Sequence, residues 1–130
     1  MDSALVSADF DSDAPSSSTV AEAAAARLAA YATRAETAYD PETLRAIRND
    51  TQSFTSWCLE HGHAALPASP TTVGLYVAAL GVRCAVATVR RHVASVAHLH
   101  RAAGLADPTR DDAVRLALRG LARARGTRPR

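Results

Sequence analysis

Lysine is absent from this chain of 130 residues: all 15 basic side chains are arginine. Aromatic residues make up only 5 % of the sequence, so a core has to be assembled from Ala, Val and Leu. The two cysteines, Cys58 and Cys84, exclude a disulfide framework and fit a reducing, cytoplasmic location. The longest nearly continuous apolar run, Val73 to Val82, is too short to span a bilayer. No positively charged segment with an apolar stretch behind it opens the chain, which excludes a secretory signal. Nowhere do β-branched or aromatic residues alternate with polar ones, so no strand is expected, and no internal repeat suggests a solenoid. A Gly-x-Ser-x-Gly elbow, a phosphate-binding glycine loop and a Cys-x-x-Cys pair are also missing. The chain by itself is therefore not expected to be an enzyme, and no cofactor is implied.

What is present is unevenly placed. Residues 1–60 hold 10 acids against 4 arginines, whereas residues 61–130 hold 3 acids against 11 arginines. Such a split points to an anionic partner for the second half. Residues 1–18, with four aspartates and a serine cluster around Pro15, read as a disordered acidic leader. Residues 19–126 carry regular helix punctuation. Thr19 and Glu22 form a capping box ahead of an Ala-rich helix running to about Ala38. Asp40-Pro41 opens a second helix that Gly62 closes, and Ser69-Pro70 opens a third with Gly81 as its stop. A fourth has a weak start near Ala85 and a stop at Gly104. Asp107-Pro108-Thr109 opens a fifth that reaches about Arg125. The expectation is an all-α bundle of five helices.

Helical periodicity sorts the faces. In the second helix Leu44, Ile47, Phe54, Trp57 and Cys58 share one side, and Arg45, Arg48, Asn49, Gln52 and Ser56 the other. The fourth helix buries Val86, Val89, Val93, Val96 and Leu99. Its opposite stripe reads Cys84, Thr88, Arg91, Ser95 and His98, flanked by Arg83, Arg90 and Arg101. Both stripes read as free of acids, which ordinary solvated helices are not. An arginine-rich surface from a GC-rich genome explains Arg in place of Lys, but leaves the missing acids unexplained. Side chains of this kind reach phosphate oxygens and base edges in a major groove; basic helices also serve other anionic partners.

The order of residues adds to this. Ser56-Trp57-Cys58 at a helix end, Pro67-Ala68-Ser69-Pro70, and Val86-Ala87-Thr88-Val89-Arg90-Arg91-His92-Val93 resemble the N-terminal core-binding (SAM-like) domain of Cre-type tyrosine recombinases and phage integrases. So do Leu99 through Leu105, Pro108, Ala113-Val114 and Leu118-Arg119-Gly120-Leu121. The resemblance implies a helical bundle on one side of duplex DNA, with the second and fourth helices facing the major groove. It carries DNA contact onto Thr43, Arg45, Ala46, Arg48 and Asn49, and onto Arg83, Ala87, Thr88, Arg90 and Arg91. Gln52, Ser95 and His98 join them from the polar stripes. Ala46 and Ala87 depart from the family pattern, which has longer side chains there, so a different recognised sequence is implied.

The resemblance further implies self-association through the first and fifth helices, residues 20–38 and 110–125, in a synaptic tetramer on DNA. The tyrosine nucleophile and its Arg, His and Lys assistants belong to the family's C-terminal domain. Residues 127–130 then read as a basic stub towards that domain, with this part binding DNA and cutting nothing. Tyr31, Tyr39 and Tyr76 are expected to be packing residues. Cys58, His61, His63 and Cys84 lack the two tight ligand pairs of a zinc site, so no metal is expected. A helical protein-interaction or oligomerisation module is the alternative, motivated by the small side chains from Ala21 to Ala38; a helix-turn-helix repressor is a weaker one.

Overall fold

The computed structural model describes residues 17–126, which form five α-helices and one 3₁₀ turn, with no strand among the described residues. The helices are α1 (Ser17–Ala38), α2 (Pro41–His61), α3 (Pro70–Gly81), α4 (Val86–Ala102) and α5 (Asp112–Gly126). Of the leader expected over residues 1–18, Ser17 and Ser18 belong to α1; residues 1–16 and the basic stub at 127–130 lie outside the described residues. Because α1 starts at Ser17, Thr19 sits inside its first turn and not ahead of the helix.

The other boundaries follow local chemistry. Asp40 Oδ1 accepts from the Thr43 amide at 2.8 Å and Ser69 Oγ accepts from the Thr72 amide at 3.1 Å, each with proline next in the chain. Gly62 and Gly104 take φ of 73° and 74°, and the amides of His63 and Leu105 bond back to the carbonyls of Cys58 and His100. Two expectations change. The fifth helix does not run on from Asp107: Pro108–Arg110 is a separate 3₁₀ turn, and Asp111 caps α5 by accepting from the Ala113 amide at 2.9 Å. Gly81 ends α3 without a left-handed conformation. Its place is set by packing, since a Cβ there would meet Leu121 of α5 at 2.8 Å.

The core gathers Phe54 and Cys58 from α2, Val73, Tyr76, Val77 and Leu80 from α3, Val89, Val93 and Val96 from α4, and Val114 from α5. Each such side chain contributes roughly 1.5–3 kcal/mol on burial. With few aromatics available, Phe54 and Tyr76 meet edge-to-face at 5.0 Å, and Trp57 stacks against His61 and His63. His100 is fully buried. Its Nδ1 bonds the Val96 carbonyl at 2.8 Å and its Nε2 accepts from the Ala68 amide at 2.9 Å, which ties α4 to the loop before α3. By contrast α1 buries only Ala24 and Ala35 and contributes nothing to the main core. It lies across α2 and α4 and leaves a cleft of about 320 Å³ lined mainly by apolar side chains, among them Leu28, Leu44, Ile47 and Leu99.

Candidate nucleic-acid interface

The side chains expected to touch DNA are distributed over α2, α4 and the short connection before α4. On α2, Thr43, Arg45, Arg48, Asn49 and Gln52 are exposed and Ala46 is half-buried. Arg83, in the α3–α4 connection, is exposed. On α4, Ala87, Arg90 and Arg91 are exposed, Thr88 and His98 are half-buried, and Ser95 is buried. A shallow cleft of about 380 Å³ along the α2–α4 seam brings Thr43 and Ala46 together with Arg91, Ser95 and His98. Arg48 and Gln52 turn the other way, into the cleft beneath α1.

The exposed strip of α4 is therefore rotated from the one read by periodicity. It consists of Ala87, Arg90, Arg91, Ala94 and Arg101, with no carboxylate on it. Thr88, Ser95 and His98 lie on the edge that α4 presses towards its neighbours. Ser95 is the clearest correction: it donates to Asp50 at 2.9 Å and is no surface group. Among the described residues Arg45, Arg48, Arg83 and Arg90 are in no ion pair, and Arg101 lies 3.5 Å from Asp107.

The α2 stripe is not acid-free at its inner edge. Asp50, 2 % exposed, is the hub of a small polar network. Arg91 Nε donates to Asp50 Oδ2 at 3.1 Å and Arg91 Nη2 donates to Oδ1 at 2.9 Å. His92 Nε2 stands 3.6 Å from Oδ1. Burial, partly offset by Asp50 and reinforced by Arg91 and Arg83, holds the His92 imidazole below its ordinary pKa, so it is neutral near pH 7. A buried carboxylate needs a charged, hydrogen-bonded partner, and this one has it. Periodicity alone hid Asp50, yet a signal existed: it lies three residues after Ile47 and four before Phe54, on the apolar side of α2.

The other end of the seam is capped by aromatics. The Tyr31 hydroxyl of α1 is hydrogen-bonded to His98 Nε2, and the Tyr39 ring meets His98 at 5.9 Å. Burial, then Tyr39, pushes the Tyr31 hydroxyl up to about 12, so it keeps its proton. Burial, then Arg101, keeps His98 below the usual histidine range, which suits an acceptor. Both tyrosines are engaged in packing contacts, as is Tyr76, whose hydroxyl is 2.9 Å from Ser53 Oγ. Among the described residues no cluster of His, Cys, Asp or Glu has the form of a metal site. Among them, too, no helix is long and apolar enough to cross a membrane.

What the arrangement can do chemically is present guanidinium and amide donors from two adjacent helices to an anionic, hydrogen-bonding surface. The chain is 36 % identical, over 97 residues and 72 % of its length, to an integrase/recombinase XerD homolog of Selenomonas ruminantium. It spans 28 % of the length of that relative. The similarity supports a relationship to the tyrosine recombinase family. No protein-family model matches the chain.

Proposed function

We propose, from this relationship and from the seam between α2 and α4, that the bundle is a duplex-DNA-binding core domain of a tyrosine recombinase or integrase. In this reading the two helices address the major groove, and the transesterification chemistry belongs to another part of the polypeptide. The single observation that carries it is the carboxylate-free exposed strip of α4, on which Arg90 is in no ion pair, packed alongside α2, whose exposed Arg45 is in none either. Arginines that are not neutralised by internal acids release counterions when they meet phosphates, so binding is favourable and falls with salt.

The test is a mobility-shift titration on short duplexes at several salt concentrations. The affinity is expected to fall linearly on log-log axes with a slope near −0.9 per phosphate contacted. Replacing Arg45 and Arg90 together by Ala is expected to flatten that slope by about 2. Unchanged binding in this double variant would sink the assignment of faces.

Self-association through α1 and α5 is the second element of the proposal, placing neighbouring copies in a synaptic tetramer on DNA. It is supported by Leu116 of α5, 63 % exposed, and by the exposed Val20 of α1. Mass measurement with and without duplex separates it from the alternative of a helical interaction module: a stable oligomer indifferent to DNA favours the alternative.

A further inference from the structure

Two observations about Arg91 pull against each other. It stands on the exposed strip of α4, its side chain 58 % accessible, yet its guanidinium is already held by a carboxylate that is 2 % accessible. Here only the acid is inside. The Nε and Nη2 edge of the guanidinium is spent on Asp50, and Asp50 is itself fixed by Ser95. Nη1 has no partner among the described residues, and beyond Asp50 Nη2 makes only a long contact of 3.5 Å to His92 Nε2. Nη1 is thus open on a side chain that is more than half accessible, while the Nε and Nη2 edge is clamped.

This geometry selects the kind of acceptor. The Asp50–Arg91 pair carries no net charge, so binding a phosphate there releases little counterion and brings a second anion onto one guanidinium. A guanine offers two neutral acceptors, O6 and N7, that match the two forward-pointing donors of an arginine fork. Holding the fork in one orientation beforehand removes most of the rotamer entropy that a free arginine loses on contact. We infer that Asp50, backed by Ser95, is a positioning residue that converts Arg91 from a phosphate contact into a reader of a guanine edge in the major groove. This rests on the duplex-binding reading above. Arg45, Arg83 and Arg90, which are in no ion pair among the described residues, supply the phosphate contacts.

The experiment uses the full 130-residue chain and two probes: a duplex library with a randomised core for selection, and one fixed random-sequence duplex for salt titration. The wild type is expected to enrich a motif containing a guanine that Arg91→Lys and Arg91→Ala each lose, with about ten- to hundred-fold loss of preference at that position alone. Asp50→Asn is expected to blur the same position, and to have no further effect on the motif once Arg91 is Ala. A residue acting only as scaffold would lower affinity for every sequence in both backgrounds. On the fixed duplex, Arg91→Ala is expected to leave the salt slope unchanged, Arg90→Ala to reduce it by about 1, and Arg91→Lys, freed from the fork geometry, to raise it.

An intact motif together with a slope reduced by about 1 in Arg91→Ala would overturn the inference and make Arg91 an ordinary phosphate contact. Should Asp50→Asn fail to fold, Arg91→Lys at its exposed position still decides between the two outcomes. Absence of any salt-dependent duplex binding by the wild type overturns the inference as well. It is told apart because Arg45→Ala and Arg90→Ala then have no effect either, and the duplex-binding reading falls with it.

Discussion

His100 shows how much one side chain holds in a protein with so few aromatics. It is 0 % exposed and satisfies the Ala68 amide across 32 positions of sequence. Replacing it with Ala removes a large buried ring and leaves that amide unpaired. A loss of about 2–4 kcal/mol is expected, read as a lower denaturant midpoint at an unchanged slope. His92 and His98 act in the opposite electrostatic sense. Both are held below the ordinary histidine value by burial, so folding favours their neutral forms. The stability they lend is present above the unfolded-state pKa and is lost as pH falls through the window below it. The melting temperature is therefore expected to drop between about pH 7 and about pH 5, and to drop less in a His92→Gln, His98→Gln double variant. Ser95 is the residue that periodicity misplaced, and Asp50 the one it left out. Each is polar by type, and each is buried only because the other, with Arg91, satisfies it.

Helices are where the amino-acid pattern speaks most directly. Asp40, Ser69, Gly62 and Gly104 act within four residues of themselves, so their signals were readable without knowing any neighbour. Ser69→Ala is expected to cost about 1 kcal/mol, measured by chemical denaturation, because the Thr72 amide loses its acceptor. The break between Pro108–Arg110 and α5 was not legible, since Asp107-Pro108 reads as a complete start signal and only packing chooses between one long helix and a turn followed by a helix. α1 differs from the rest in how it is attached. Its helix propensity is high, but its buried side chains are two alanines, aided by half-buried Leu28 and Tyr31. Amide hydrogen exchange is expected to be faster throughout α1 than in α3, whose Val73, Tyr76, Val77 and Leu80 are all in the core. Equal protection in the two helices would show that α1 opens only with the whole bundle.

Among the described residues, arginines from the two halves of the chain stand on neighbouring helices. Arg45 and Arg48 come from the acid-rich half and stand on α2, which packs against the arginine-rich α4. The face proposed to bind DNA needs both helices held in one relation, and the Asp50–Arg91–Ser95 network spans that seam. Disrupting it through Ser95→Ala, which removes the hydroxyl without adding volume, is expected to reduce stability by about 1–3 kcal/mol, since the buried Asp50 loses a donor. Its effect on duplex affinity at fixed salt is expected to exceed that of Gly120→Ala on α5, where a Cβ meets nothing within 4 Å.

The number of helices, most of their ends and the surplus of arginine over acid in the second half were already written in the order of residues, because caps, propensity and charge act locally. Which way α4 is turned about its own axis was not. That angle depends on Val89, Val93 and Val96 finding Phe54, Tyr76 and Leu80, side chains up to some forty positions away. A turn of a fraction of a helical step moves Ser95 inside and Arg90 outside. Only packing in three dimensions could also bring Asp50 against Arg91, 41 positions apart, and so separate Arg91, whose charge is met internally, from Arg45, Arg83 and Arg90, which are in no ion pair among the described residues.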